Sequence, residues 1–304
     1  MHRSEASLPL LIPRLLAALE QLAPAHEVIL VDDGSPDGSW AVIAAAAAAD
    51  GRVRGIRLMR NFGQHNALLV GIRQARYDLI VTLDDDLQNP PEEIGHLVER
   101  LTDDVDVVYG SPLSEQHSLW RSAASQVTKY ALEEAMGATA ARSVSAFRVF
   151  RTDLRRAFER YQSPDISIDV LLTWATTRFA MVRVRHDPRT HGRSNYTFAR
   201  LMHHALNMMT GFTTRPLRLA SLIGFIFTIF GVVIFIVVVV RNVIAGSAVP
   251  GFPFLASIIA IFSGVQLLIL GIMGEYVARM HLRLLERPSY VIAETTPTND
   301  STDS

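Results

Sequence analysis

The sequence contains no cysteine, which excludes disulfide bonds and thiolate metal sites. It has no surplus of basic residues either, because 29 lysines and arginines face 30 aspartates and glutamates and leave a net charge of −1. A nucleic-acid binder needs a basic surface, so this balance argues against such a partner. The first residues, MHRSEASLPLL, lack the apolar core of a signal peptide.

The glycine-rich loops that hold phosphates, GxGxxG and GxxxxGK followed by Ser or Thr, are also absent. A diphosphate ligand would therefore need a metal ion and basic side chains to hold it. Hydrophobic residues, by contrast, are abundant at 49%, and they are concentrated in the last third of the chain.

The most informative stretch is LIVTLDDDLQNPP (residues 79–91), in which an apolar strand pattern ends in Asp84, Asp85 and Asp86. Three adjacent carboxylates repel one another, so the cluster is costly unless a cation sits on it. Mg²⁺ carrying a diphosphate suits such a site, because this ion takes one or two carboxylates together with phosphate oxygens. The alternative is a solvated acidic turn before a helix that begins at Pro90 and Pro91.

Two long apolar runs predict membrane-spanning helices at about residues 217–240 and 252–278. At about 1.5 Å per residue, the first run spans roughly 36 Å, which exceeds a hydrocarbon core of about 30 Å. Arginines flank the pair on both outer sides, whereas the short connection carries only Arg241. The flanking arginines are Arg215, Arg218, Arg279, Arg283 and Arg287. Positive residues favour the cytoplasm, so both termini are predicted to lie there.

Residues 197–213 carry apolar residues at helical spacing, which predicts an amphipathic helix. Because a span follows directly, we expect this helix to lie in the headgroup region of the bilayer. Packing beneath the soluble domain is the alternative. The predicted organisation is thus a cytoplasmic domain at 1–196, the interfacial helix at 197–213, two spans within 214–280, and a cytoplasmic tail at 281–304 with a disordered end.

Strand and helix patterns alternate through the first 110 residues, which predicts an α/β fold with a mostly parallel sheet and flanking helices. Ligands of such sheets bind beyond the carboxyl ends of the strands. The Asp32–Asp33 pair in VDDGSPDGS (residues 31–39) and the Asp84–Asp86 run both follow predicted strands, so one crevice can use both. Asp32 and Asp33 could accept hydrogen bonds from a base and a ribose, or could serve only in turn and capping chemistry.

Several motifs together resemble the inverting family 2 glycosyltransferases that charge polyprenyl phosphates. These are VDDGSPDGS (31–39), RNFGQHNALLVGI (60–72) and TLDDDLQNPPEEI (82–94). The C-terminal motifs TTRPLRLASLIG (213–224), GIMGEYVAR (271–279) and RPSY (287–290) are similar to the two-span bacterial branch. The resemblance covers nearly the whole chain. It implies a GT-A-like, Rossmann-type domain, a nucleotide-sugar donor, an undecaprenyl or related polyprenyl phosphate acceptor, Mg²⁺ or Mn²⁺, and often a homotetramer.

The resemblance also implies roles for individual residues. Asp32, Asp33 and Asp84 would bind the nucleotide, and Asp84 and Asp86 would hold the metal as the ends of the family's D-x-D motif. Asp86, Gln88 and Arg148 match catalytic positions, with Gln88 near the sugar and Arg148 near the phosphates. Arg193, Ser194 and Tyr196 match a loop that holds the acceptor phosphate, although plain positive-inside anchoring also explains Arg193.

Two departures from the family pattern bear on activity. The family's first strand, which precedes the helix at residues 6–22, is missing, so a sheet edge and its backbone groups are expected to be unpaired. The middle residue of the D-x-D motif is Asp85, which adds charge. These departures keep open a second interpretation, a catalytically impaired membrane-anchored partner protein. A processive polymerase is disfavoured, since the chain has only two spans and no Q-x-x-R-W segment.

Overall fold

A computed structural model describes residues 1–112, 144–162, 167–187, 215–245, 252–285 and 288–297. The chain forms two compact units, Met1–Met202 with Glu286–Ser304, and His203–Leu285. The predicted acceptor loop with Arg193, Ser194 and Tyr196, and the predicted interfacial helix at 197–213, lie outside the described residues.

The first unit contains five described α-helices and seven strands. The helices are α1 (Leu8–Leu22), α2 (Ser39–Ala49), α3 (Gln64–Gln74), α4 (Ile94–Arg100) and α5 (Ile168–Ala175). The strands are β1 (Val28–Asp32), β2 (Val53–Leu58), β3 (Leu79–Thr82), β4 (Val107–Pro112), β5 (Arg148–Arg151), β6 (Phe179–Val184) and β7 (Ile292–Thr295). Short 3₁₀ turns at Pro91–Glu93 and Thr152–Ala157 precede α4 and follow β5.

The strands form two sheets, in the orders β1-β2-β7 and β3-β5-β4-β6. The predicted α/β class is therefore confirmed, with mixed rather than mostly parallel sheets. Among the described strands two pairings are parallel, β1–β2 and β4–β6, and three are antiparallel. The difference arises because β5 lies antiparallel between β3 and β4, and β7 lies antiparallel along β2. The hydrophobic pattern of a sequence indicates which residues are buried, but it does not indicate whether neighbouring strands run parallel or antiparallel.

The strand β7 belongs to the tail that was predicted at 281–304. It pairs with the edge of β2, and Gly55 N donates a 2.8 Å hydrogen bond to Thr296 Oγ1 just beyond it. Next to this strand, the Arg73 guanidinium of α3 lies 5.7 Å from the centroid of the Tyr290 ring. The chain thus returns to the first unit after the apolar helices. The end predicted to be disordered lies outside the described residues.

The first unit's two sheets share a covering helix, α1. Its Leu15 and Leu19 pack with the core beneath β1 and also with the core that contains Val81 of β3. Strands β1 and β3 are each the terminal strand of their sheet in the part of the chain that the structure describes.

Met1 occupies one position along the open edge of β1. Its amino group donates to Val31 O at 2.9 Å, and Asp33 N donates to Met1 O at 2.9 Å. Val28 N donates to Arg52 O on the β2 side. Because backbone groups alternate between the two edges of a strand, Val31 and Asp33 face away from β2. Met1 therefore continues the sheet as a single parallel bridge.

The second unit is a hairpin of two long helices, α6 (Arg215–Ala245) and α7 (Phe252–Leu284). Segments Leu217–Arg241 and Ile261–Leu282, of mean hydropathy 3.2 and 1.6, are long and apolar enough to cross a membrane. A Cβ on Gly231 would lie 2.9 Å from Phe262, and one on Gly224 would lie 3.1 Å from Ile269. From the Gly224–Ile269 contact to the Gly231–Phe262 contact, the residue number increases by seven on α6 and decreases by seven on α7. The two helices therefore pack antiparallel.

Candidate active site at the carboxyl ends of β1 and β3

The turn after β1 positions Asp32 in the interior, where it is 0% exposed. Its Oδ1 accepts a hydrogen bond from Ser35 N at 3.0 Å, which closes the turn. Its Oδ2 is buried and accepts no hydrogen bond from the described residues, although Arg57 Nε lies 3.5 Å away. A buried carboxylate oxygen with an unused lone pair is costly. Asp32 is therefore suited to accept an N–H from a ligand such as a nucleobase.

Asp33 has a different task. Its two oxygens accept hydrogen bonds from Phe62 N at 2.7 Å and Gly63 N at 2.8 Å, at the start of α3. The free N–H groups of a helix start favour a carboxylate partner. Asp33 thus anchors the loop before α3, a role that its predicted place in the nucleotide site did not include.

Gly34 allows the two loops to approach closely. Its φ is +64°, and a Cβ there would lie 2.5 Å from the carbonyl carbon of Arg60. A side chain would both strain this turn and displace the backbone that Asp33 holds. The sequence pattern VDDGS therefore has a structural reason at its glycine.

The three aspartates after β3 have three separate partners. Gln64 Nε2 donates to Asp84 Oδ1 at 2.7 Å, the Ser4 hydroxyl donates to Asp85 Oδ2, and Gln88 N donates to Asp86 Oδ1 at 3.1 Å. Asp85, the departure from the family motif, therefore fastens the N-terminal segment to the acidic turn.

The hydrogen bonds connect the two acidic clusters. Asp33 holds Gly63, and the next residue, Gln64, donates to Asp84, so the two clusters lie close together at the carboxyl ends of β1 and β3, although these strands belong to separate sheets. Gln88 is anchored by its backbone, since its carbonyl accepts from Asp187 N at 2.8 Å.

The backbone of the acidic turn is strained at Leu87, which has a φ of +62°. Such a conformation costs about 1–2 kcal/mol for a residue with a side chain. The buried Leu87 side chain and the bond to Asp86 hold it in place. Strain of this kind persists where the surroundings over-determine the turn, as at many functional sites.

The charges around Asp84 favour a bound cation. Burial, together with the charges of Asp86 and Asp85, raises the pKa of Asp84 to about 6, and the positive charges of Arg148 and the Met1 amino group only partly oppose this. A cation bound here would remove the repulsion between neighbouring carboxylates.

The residues present fit a divalent metal that is shared with a diphosphate. Asp84 and Asp86 supply hard oxygen donors two positions apart. In the described ranges no group of three or more His, Cys, Asp or Glu residues could enclose a metal. One or two carboxylates with phosphate oxygens is the donor set that Mg²⁺ favours in nucleotide sites.

Arg148 lies beneath the site instead of in it. The residue is 1% exposed, its guanidinium pairs with Asp169, and its Nε donates to Thr82 Oγ1 at 3.0 Å. Tyr109 OH donates to the same Asp169 oxygen at 3.0 Å. Burial and the charge of Asp169 raise the pKa of Tyr109 well above its usual value, so its hydroxyl stays protonated as a donor. Arg148, which was predicted to lie near the phosphates, thus forms a buried ion pair with Asp169.

Sequence reasoning missed Ser4, Gln64 and Asp169. Nothing in the local pattern identifies Ser4 or Gln64, because their partners are distant in the chain. Asp169 did carry a signal, because it is the only charged residue in the apolar helix IDVLLTWA. A lone charge in a buried segment indicates a buried partner of opposite sign.

Comparisons with known proteins identify the family of the chain. The family description "Glycosyl transferase family 2" matches residues 5–159. The undecaprenyl-phosphate 4-deoxy-4-formamido-L-arabinose transferase of Aeromonas hydrophila is 37% identical over 311 residues, covering 100% of this chain and 95% of that protein. Its namesake from Pseudomonas aeruginosa strain LESB58 is 38% identical, covering 96% and 87%.

Among solved structures, mannosyl-3-phosphoglycerate synthase from Rubrobacter xylanophilus is 16% identical with a TM-score of 0.49, covering 73% of this chain and 72% of that one. The family match covers half of the chain, and the sequence relatives extend over nearly all of it. The chain therefore belongs to glycosyl transferase family 2.

Proposed function

We propose that the protein transfers a sugar from a nucleotide-diphosphate sugar, a UDP-sugar, to undecaprenyl phosphate or a related polyprenyl phosphate. The observation that carries this proposal is the site at the carboxyl ends of β1 and β3. There Asp32, whose buried Oδ2 accepts no hydrogen bond from the described residues, is joined to the Asp84–Asp86 turn through Asp33, Gly63 and Gln64. The names of the full-length relatives support the acceptor, and the two apolar helices support a membrane location.

In this proposal each residue has a defined task. Asp32 accepts an N–H of the nucleobase, and Asp33 keeps the adjoining loop in place. Asp84 and Asp86 hold Mg²⁺ or Mn²⁺, which when bound neutralises charge on the departing diphosphate. Gln88 lies beside the sugar. Arg193, Ser194 and Tyr196, outside the described residues, bind the acceptor phosphate.

The reaction is a single displacement with inversion. The bond from the sugar's anomeric carbon to the diphosphate breaks as a bond to the acceptor phosphate oxygen forms. A phosphate monoester has a second pKa of about 6, so at pH 7 the acceptor is already a nucleophile and needs little general base. The main task of the side chains is to place donor and acceptor in line. In this proposal Asp86 orients the acceptor or acts as its base.

We further propose an inner-membrane location, with the first unit and both termini in the cytoplasm and with homotetramers as the assembly. The return of the chain as β7 to the sheet of the first unit supports the topology. A chain that leaves this unit and comes back to it must cross the membrane an even number of times, and two apolar helices meet that condition.

The test is a panel of UDP- and GDP-sugars incubated with membranes, undecaprenyl phosphate and Mn²⁺. We expect one donor to give a lipid-linked sugar, and we expect Asp84→Asn and Asp86→Asn to abolish it. Asp153→Asn, at an exposed ion pair with Arg156, is the matched charge control and should retain activity. Absence of transfer from every donor would overturn the proposal for this chain.

Strands β1 and β3 have no second neighbouring strand among the described residues, which favours one second candidate, a catalytically impaired partner protein of the same fold. Calorimetry separates the two functions. A transferase binds Mn²⁺ and a nucleotide, whereas an impaired partner binds neither.

A further inference from the structure

Four buried polar residues form one connected network below the acidic turn. Thr82 of β3, Arg148 of β5 and Tyr109 of β4 are direct neighbours across three strands, because Arg148 is the register partner of both others. Asp169 of α5 completes the network. Their exposures are 5%, 1%, 0% and 5%, in the order Thr82, Arg148, Tyr109, Asp169.

The hydrogen bonds of the network connect Tyr109 to the end of β3, with Asp169 accepting from both Tyr109 and Arg148. Tyr109 OH donates to Asp169, Asp169 pairs with Arg148, and Arg148 Nε donates to Thr82 Oγ1 at 3.0 Å. The Thr82 hydroxyl in turn donates to Ala146 O at 2.7 Å, just before β5. Thr82 is the last residue of β3 and stands two positions before Asp84.

A buried ion pair is an expensive way to stabilise a core. Desolvation offsets much of its attraction, and well-packed apolar residues often serve stability as well or better. The location of this pair indicates a second task. It fixes the side-chain hydroxyl of the residue from which the acidic turn departs, since the Thr82 hydroxyl accepts from Arg148 Nε and donates to Ala146 O.

We propose that Asp169 and Tyr109 are positioning residues that hold Arg148 against Thr82, and that this contact keeps Asp84 and Asp86 at the separation needed to bind a divalent cation. This inference rests on the proposed function. None of the four residues touches the reacting groups. They act through the end of β3, as outer partners do for the ligands of known metal sites.

The same sheet offers a matched control. Asp106, just before β4, is also buried and paired with an arginine, with Arg178 Nη2 2.6 Å and Nε 2.9 Å from its oxygens. This pair lies at the amino end of β4, away from the acidic turn. Breaking it should destabilise the fold without moving Asp84 or Asp86.

The experiment measures Mn²⁺ affinity of the full chain in detergent by electron paramagnetic resonance, with and without UDP, well below each variant's melting temperature. We expect Asp169→Asn, Tyr109→Phe and Thr82→Val to weaken Mn²⁺ binding roughly tenfold. Thr82→Ser keeps the hydroxyl and should stay within about twofold of wild type, and so should Asp106→Asn despite its lower melting temperature.

The outcomes are distinguishable. If Tyr109→Phe and Thr82→Val bind Mn²⁺ as wild type does, or if Asp106→Asn weakens binding as much as they do, the positioning role is refuted. These two variants decide the matter even if Asp169→Asn does not fold. A wild-type protein that transfers sugar while the variants bind normally leaves the proposed function standing. A wild-type protein that binds no Mn²⁺ overturns both.

Discussion

Replacing Asp84 by Asn should stabilise the metal-free protein while removing a metal ligand. The pKa of Asp84 rises from 3.8 to about 6 because the carboxyl is buried and faces Asp86 and Asp85. At about 1.36 kcal/mol per pKa unit, ionisation of this group costs the folded state about 3 kcal/mol near pH 7.5. Asparagine removes the charge, and its Oδ1 can still accept the hydrogen bond from Gln64.

The sign follows from proton linkage. A raised folded-state pKa means that the folded protein binds the proton more tightly, so the cost is full above pH 6 and declines as pH falls toward 3.8. At pH 4.5 the cost should be about one third of its value at pH 7.5. The stabilisation in Asp84→Asn should shrink in the same proportion.

The assay is thermal unfolding in detergent and EDTA, followed by tryptophan fluorescence. For a unit of this size a gain of about 3 kcal/mol should raise the midpoint by about 6–12 °C at pH 7.5. Asp153→Asn, which removes an exposed carboxylate paired with Arg156, should change it by less than about 1 °C. A lower midpoint for Asp84→Asn at pH 7.5, or an equal gain at both pH values, would refute the electrostatic reasoning.

Three further predictions concern the neighbouring loops and the second sheet. Asp33→Asn loses one of two backbone hydrogen bonds at the start of α3, so urea denaturation should show a loss of about 1–3 kcal/mol; an unchanged midpoint would contradict the anchoring role. Gly34→Ala introduces a Cβ 2.5 Å from the Arg60 backbone at φ +64° and should cost more than about 2 kcal/mol by the same measurement; a smaller loss would contradict the close approach of the two loops. Burial alone would raise the pKa of Asp106, but hydrogen bonds from Arg178 and Thr176 outweigh this effect and lower the pKa. The ionised carboxylate therefore stabilises the fold above about pH 3.9, and this stabilisation is lost as the pH falls through the pKa of the folded state. Asp106→Asn should therefore flatten the acid side of the stability profile, and a profile as steep as wild type would show that other carboxylates dominate it.

Much of the first half of the chain was predictable because local pattern and burial agree there. Strands β1 and β3 are short apolar runs, and each ends at an acidic cluster, so their carboxyl ends could be assigned to a ligand edge in advance. The apolar helices α6 and α7 were equally predictable, since apolar runs of this length and hydropathy rarely form anything other than membrane-spanning helices.

The remaining features depend on contacts between distant residues. Strand β5 is four residues long and is separated from β4 by 35 residues, so its antiparallel insertion has no local signature. Strand β7 follows the apolar hairpin and pairs with β2 more than 230 residues earlier in the chain. For Asp33, the sequence shows a carboxylate in a turn but cannot show that both oxygens accept hydrogen bonds from the α3 loop.

Arg148 illustrates the same limit for a site residue. Its motif places it near the phosphates, and the structure does bring it close enough for its charge to act on Asp84. Only the register of three strands shows that the guanidinium faces inward to Asp169.

The parallel bridge at Met1 has a practical consequence for handling this protein. Any residues attached ahead of Met1, such as an affinity tag, would start beside Val31 and run along the open edge of β1 and not directly into solvent. A flexible polar tag would then weaken the hydrogen bonds between Met1 and β1, and an extended apolar tag could pair with β1 as a further strand. Preparations that differ only in their leading residues should thus differ in melting temperature, and comparisons of activity between them need that difference measured first.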